Sequence, residues 1–413
     1  MEWPLVRLDS LYGIARGGSP RPIKNYITDD SDGINWIKIG DATASGKYIY
    51  ETKQKIIPEG IQRSRFVNEG DFILSNSMSF GRPYIMATTG CIHDGWLVLS
   101  AKDDSIDQDF LYHILGSPFV FQQFDSLAAG STVRNLNIDL VSGVKIPLLP
   151  LEEQKRIVAI LDQVFADIEQ ARAKTEQNLK NARELFESYL QQVFSQRGEG
   201  WAEKKWGDVC KFVRGPFGGS LKKSMFKEEG FAVYEQKHAI HDHIEQLRYF
   251  VDDQKFEEMR RFEVKPGELI MSCSGVTLGR VSVIPEGAPQ GIINQALLKL
   301  TPNEDINVHF LKYWVRSKIF QDIIFEHAGG AAIPNVPAAK ILKEIILLIP
   351  SIDEQNAVVN EIDLILLETS KVADIYRTKI ESLDELKNSI LQKAFSGELT
   401  KTLDGDTNKG AAV

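Results

Sequence analysis

Residues 152–196 occur twice in this chain, and the second copy constrains everything else. A shift of 201 carries Glu153-Gln154 onto Glu354-Gln355 and Asp162 onto Asp363. The same shift carries SYLQQVFS at 188–195 onto SILQKAFS at 389–396. A register held without insertion over more than forty residues marks a rigid periodic element. Alternating steps of four and three from Ile157 reach Leu161, Val164, Ile168, Ala171, Thr175, Asn178, Ala182, Leu185 and Tyr189. In the second copy they reach Val358, Ile362, Ile365, Thr369, Val372, Tyr376, Lys379, Leu383, Leu386 and Ile390. This is a heptad seam with a few polar interruptions. Neither run contains Gly or Pro, and each follows a proline, Pro150 or Pro350, with acidic residues in its first turn. Each predicts one helix of roughly 65 Å at 1.5 Å per residue.

Connectivity favours an antiparallel pair. The roughly 150 residues between the helices would form a body with a radius of gyration of only about 15 Å, too small to leave one end of such a rod and return at the other. The expected architecture is α+β: two related α/β globular domains joined by two long helices in an antiparallel coiled coil. It is a pseudo-two-fold tandem duplication with a body at each end of the rod. The expected boundaries are 1–150 for the first body, 151–197 for the first helix, 198–350 for the second body and 351–399 for the second helix. Residues 400–413, without apolar pattern, read as a disordered tail.

The bodies repeat more weakly. Gly70 to Ser77 followed by Gly81-Arg82 parallels Gly267 to Ser274 followed by Gly279-Arg280, each reading as turn, strand and polar loop. Ile106 and Phe110-Leu111 match Ile306 and Phe310-Leu311 in expected helices 107–116 and 307–326. Trp3 with Arg16-Gly17 echoes Trp201 with Arg214-Gly215.

Cys91, Cys210 and Cys273 lack metal-site spacing, and no apolar run approaches a membrane span, so a cytoplasmic protein is expected. The net charge of −9 argues at first against nucleic acid. By segment, however, residues 1–150 carry −3 and 201–350 carry +1, against −2 for 151–200 and −5 for 351–413. The near-neutral bodies therefore leave room for local basic surfaces. Catalytic motifs are missing: Gly40 to Tyr48 has the wrong spacing for a phosphate loop and Tyr where a Mg²⁺-binding hydroxyl belongs. His238, His241 and His243 form one metal-like cluster without a completing ligand pair, and His93-Asp94 reads as a turn pair.

Two variable bodies, each followed by a long helix, resemble the specificity subunit of type I restriction–modification enzymes. The helices open Pro150-Leu-Glu-Glu-Gln154 and Pro350-Ser-Ile-Asp-Glu-Gln355, and close with Leu190–Ser195 and Leu391–Ser396. The resemblance implies a non-catalytic subunit whose bodies are target-recognition domains, each reading half of a split duplex DNA sequence. It implies helices that act as spacer and as docking surface for two methyltransferase subunits and, through them, restriction subunits. No cofactor is expected on this chain; S-adenosylmethionine, ATP and Mg belong to the partners.

On that reading the matched loops are the base-reading candidates: Ser75, Asn76, Ser77 and Arg82, with Ser272, Ser274 and Arg280. Residues common to both bodies fit scaffold or phosphate-contact roles equally well, since the two must read different bases. Arg16, Arg21, Lys24, Lys222, Lys223 and Arg134 are candidate phosphate contacts. The expected partner-binding faces are Phe165, Leu179, Phe186 and Phe194 on the first helix, with Leu366, Ile380, Leu391 and Phe395 on the second. The rival readings are a protein-interaction scaffold without DNA and a metal-dependent enzyme using the three histidines.

Overall fold

The structure, a computed structural model, describes residues 3–76, 81–128, 135–196, 198, 200–328 and 334–400. These divide into two compact units, with the breaks at Thr175/Glu176 and Arg377/Thr378. The periodic segments are single helices, Leu151–Ser195 and Ile352–Ser396, of 45 residues each.

In the first unit, Leu5–Arg7 pairs with Lys145–Pro147 beside two five-stranded sheets. One sheet runs Tyr12–Arg16, Trp96–Ala101, Phe72–Ser75, Pro83–Met86, Tyr48–Ile49; the other is built around Ile34–Ile37 and Gly90–Ile92, which are parallel. The second unit repeats the plan. Ala202–Lys205 pairs with Ile346–Ile349. A four-stranded sheet runs Cys210–Arg214, Leu297–Pro302, Leu269–Ser272, Val281–Val283, and another is built around the parallel pair Phe231–Tyr234 and Gly291–Ile293.

Within each unit the helices run antiparallel. In the first, Arg172 pairs with Asp384, and Lys387 reaches Glu169 at 3.3 Å and lies 4.9 Å over the Phe165 ring. In the second, Tyr189 lines one crevice with Ile365, and Trp201 Nε1, just past the end of the first helix, donates to Glu354 Oε1 at 2.7 Å at the start of the second. The seam's threonines satisfy themselves: Thr175 Oγ1 donates to Ala171 O at 2.7 Å and Thr369 Oγ1 to Ile365 O at 2.7 Å. On the second helix, alternate seam positions fall one residue later than the sequence spacing suggested. Ala373 is buried and Ile380 half-buried, while Val372, Lys379 and Leu386 are exposed. Leu185 of the first helix is likewise exposed.

The spacing repeated at the two helix starts has a mechanical reason. Buried Gln154 Oε1 accepts from Asp107 N at 2.8 Å, while its Nε2 donates to Ser105 O and Leu149 O at 2.9 and 2.8 Å. Gln355 does the same with Asn307 N, Asp305 O and Pro350 O at 2.8, 3.0 and 3.1 Å. Two turns on, Asp162 Oδ1 lies 2.8 Å from His113 Nε2, and Asp363 accepts from Tyr313 Oη. The closing motifs are core as well. Phe194 meets Phe310 edge-on at 5.3 Å in the second unit, and Phe395 meets Phe110 at 5.5 Å in the first.

Four of the eight expected partner-face residues are thereby corrected. Phe186 and Phe194 are buried in the second unit's core and Leu391 and Phe395 in the first's, while Phe165 and Leu366 pack half-buried against those cores. Leu179 and Ile380 are also half-buried. A surface outside a two-helix seam is free in an isolated coiled coil, but here each helix also packs against a globular body. The expected helix 307–326 is two helices, Val308–Arg316 and Lys318–Ala328, because Ser317 is extended and its Oγ donates to Trp314 O at 2.7 Å. Leu399 and Thr400 pack on the first unit, so order extends one residue into the expected tail. Residues 401–413 lie outside the described residues.

Candidate nucleic-acid interface

Sheet register places corresponding loops at corresponding ends. In the first unit, Tyr12–Arg16 and Phe72–Ser75 both pair antiparallel with Trp96–Ala101, with Arg16 opposite Leu97 and Ser75 opposite Trp96. The loops that follow them therefore leave the same end of the sheet. In the second, Arg214 faces Leu298 and Ser272 faces Leu297 across the central strand. Arg-Gly recurs because the chain closes tightly there: a Cβ at Gly17 would lie 2.0 Å from His93 O, and one at Gly215 would lie 1.9 Å from Asn294 O. Gly-Arg recurs because Gly81 and Gly279 adopt φ +74° and +78° against the helices at Phe124 and Ile324.

Several sequence candidates converge on one turn of the first unit. Asp94 O accepts from Arg16 Nε at 3.0 Å and from Asn76 Nδ2 at 2.9 Å. The Asp94 carboxylate accepts from Ser19 Oγ at 2.6 Å and lies 3.4 Å from Arg21 Nη2. The Ser19 hydroxyl, opposed by burial and helped by Arg21, holds this carboxyl below its usual range. Burial pushes the neighbouring His93 imidazole below its ordinary value, against the pull of Asp94. Beside this turn opens a cleft of about 1040 Å³ lined by Pro20–Lys24, Trp36, Lys38, His93 and Asp94. Arg21 and Lys24 are solvent-exposed and give the cleft a cationic rim, while Arg16 is exposed on the strand end beside it.

Other candidates are structural. Ser75 and Asn76 are buried, as is Ser272, whose Oγ accepts from Gln236 Nε2 at 2.7 Å; they support the loops from inside. Gln236 also donates to Ser274 O at 2.7 Å, holding the half-buried Ser274. Arg82 is exposed with its guanidinium 5.3 Å over Tyr84. Arg280 lines a crevice of about 540 Å³ with Gln191, Arg316, Lys318 and Asp322, and its carbonyl accepts from Ser272 N at 2.7 Å. Lys222 and Lys223 are exposed on the loop after Arg214. Ser77 and Arg134 lie outside the described residues.

The three histidines do not converge. His238 is buried and its Nδ1 accepts from Glu235 N at 2.9 Å, whereas His241 and His243 are exposed. Among the described residues there is no group of three or more His, Cys, Asp or Glu able to hold a metal ion, and no helix long and apolar enough to cross a membrane. Sequence reasoning missed Lys38, which lines the cleft, and the exposed helix residues Leu364, Leu367 and Ile375. Their signal was apolar character off the heptad seam.

The family profile described as type I restriction modification DNA specificity domain matches residues 1–178 and again 198–369. The EcoBI specificity subunit of Escherichia coli is 22% identical over 97% of this chain and 86% of its own length. The MjaVIII specificity subunit of Methanocaldococcus jannaschii is 21% identical over 96% of this chain and 93% of its own. The fold matches a chain from a study of assembly and conformational transition in a type I R-M system, at TM-score 0.76, 21% identity and 96% and 98% coverage. It also matches the HsdS subunit of Thermoanaerobacter tengcongensis, at TM-score 0.57, 22% identity and 96% and 97% coverage. With both repeats matched across most of its length, this chain belongs to the type I restriction–modification specificity subunit family, whose members recognise DNA.

Proposed function

We propose that this chain is a non-catalytic reader of a bipartite duplex DNA sequence, each unit contacting one half. The observation that carries the reading is the paired-loop sheet end repeated in both units, each bearing exposed cations: Arg16, Arg21 and Lys24 in one, Arg214, Lys222 and Lys223 in the other. Cations supply phosphate attraction, while neighbouring uncharged surfaces supply discrimination. Two methyltransferase subunits dock on the helices, and restriction subunits join through them. S-adenosylmethionine, ATP and Mg serve those partners, and this chain supplies no catalytic group.

Exposed Leu185, Leu364, Leu367 and Ile375 support protein docking on the helices of the second unit. Competition binding of the assembled complex to duplex DNA at several salt concentrations tests the reading. The expected result is sequence-selective binding whose affinity falls steeply with salt, and Arg21→Ala with Lys24→Ala should flatten the salt slope. A complex indifferent to duplex DNA would leave only the scaffold role.

A further inference from the structure

The second unit displays two large apolar side chains almost wholly to solvent, Phe217 at 92% and Val276 at 91% exposure. Both sit on the paired loops. Cys210–Arg214 and Leu269–Ser272 flank Leu297–Pro302, with Arg214 and Ser272 opposite Leu298 and Leu297. The loop roots are therefore separated by two strand spacings, about 10 Å.

Neither loop is loosely placed. Phe217 O accepts from Ser220 N at 2.8 Å, closing a turn through Gly218 and Gly219, which have open space around them. The neighbouring Pro216 is buried, so the loop is anchored one residue before the phenyl ring projects. Val276 stands in a turn closed by Leu278 N to Gly275 O at 3.1 Å, with Gly275 N donating to Pro334 O at 2.9 Å. Gln236 Nε2 braces the same loop through Ser274 O. The backbone is thus fixed while the apolar groups face outward. Removing a phenyl ring and a valine side chain from water is favourable, so these are surfaces that favour being covered.

The flanking charge says by what. Exposed Arg214 stands at the root of the Phe217 loop and exposed Lys222 and Lys223 at its far end. Glu228 and Glu229 lie further on, in the segment that leads into Phe231–Tyr234. An apolar tip framed by cations matches the groove of a duplex, with phosphates on both sides and base surfaces between. The corresponding loop of the first unit also exposes cations, Arg21 and Lys24, but aligning Arg16-Gly17 with Arg214-Gly215 puts Ser19, not a phenyl ring, opposite Phe217.

We propose that Phe217 and Val276 are the apolar base-contacting residues of the second unit, determining the half-site it reads through contact with thymine methyls or an opened base step. This rests on the DNA-reading function proposed above. The test uses the full chain assembled with its methyltransferase partners, and a duplex carrying the methylated motif mapped in the host. Phe217→Ala and Val276→Ala should each weaken binding to that duplex, Phe217→Ala about 10- to 100-fold, and blur one half of the mapped motif while the other half stays sharp. Binding to an unrelated duplex of equal length and the melting temperature should not change. Phe217→Tyr should stay within about threefold of wild type.

Wild-type affinity and an intact motif in both alanine variants would overturn the assignment. So would a lowered melting temperature, which would make the residues structural, or a loss of partner co-purification with DNA binding intact, which would make the tips a protein contact. If the wild-type complex itself selects no sequence, the DNA-reading function falls, and the assignment with it.

Discussion

Gln154 and Gln355 show how single residues tie the repeated motif to the fold. Each is buried, and each meets one backbone amide and two carbonyls at the start of its helix. Gln154→Ala would strand these groups, and chemical denaturation should show a loss of about 2–3 kcal/mol. His113 offers a second test. Burial lowers its pKa below the ordinary 6.5, although Asp162 pulls the other way. A depressed histidine means that the unfolded chain binds protons the folded chain does not, so stability falls as pH drops below about 6.5. His93 and His238 are shifted in the same direction, again chiefly by burial. Since the second unit carries Tyr313 at the equivalent place, His113→Tyr is the natural probe. Urea unfolding between pH 8 and pH 5 should show a shallower acid-side loss in that variant. An unchanged profile would mean that His113 titrates alike in both states.

The long helices were the most legible elements of the chain, because an ungapped repeat with heptad spacing and no Gly or Pro leaves few alternatives. What the spacing could not carry was the phase of the second seam, or the fact that the outer faces near the helix ends are core. Heptad arithmetic describes a helix meeting one partner. Here Phe186 and Phe194 meet a globular body as well, and this third neighbour is invisible to a local pattern. The loops were legible as recurring motifs but not as surfaces. Ser75 and Ser272 recur because a strand ends there in the interior, and Arg16-Gly17 recurs because only glycine fits beside His93 O. The exposed Leu364 and Ile375 belong to the second helix alone, the first carrying Gln163 and Lys174 at the matching positions. Leu364→Asp with Ile375→Asp should leave this chain folded and abolish or strongly weaken co-purification of a methyltransferase subunit. Unchanged co-purification would place the docking surface elsewhere.

For the molecule as a whole, each unit builds its core from a globular body and from stretches of both long helices, so neither helix is a detachable linker. The bodies repeat one plan, with five-stranded sheets in the first and four-stranded sheets in the second, and carry different loop side chains, as the proposed reading of two unlike half-sites requires. The proposed reading of a bipartite site by this chain is tested by mapping methylated adenines in the host genome with the chain present and with its gene deleted. A split motif, two short specified halves around an unspecified gap, should disappear on deletion and return with the intact gene. A methylation pattern indifferent to the chain, with the proposed methyltransferase subunits expressed and bound to it, would rule that function out.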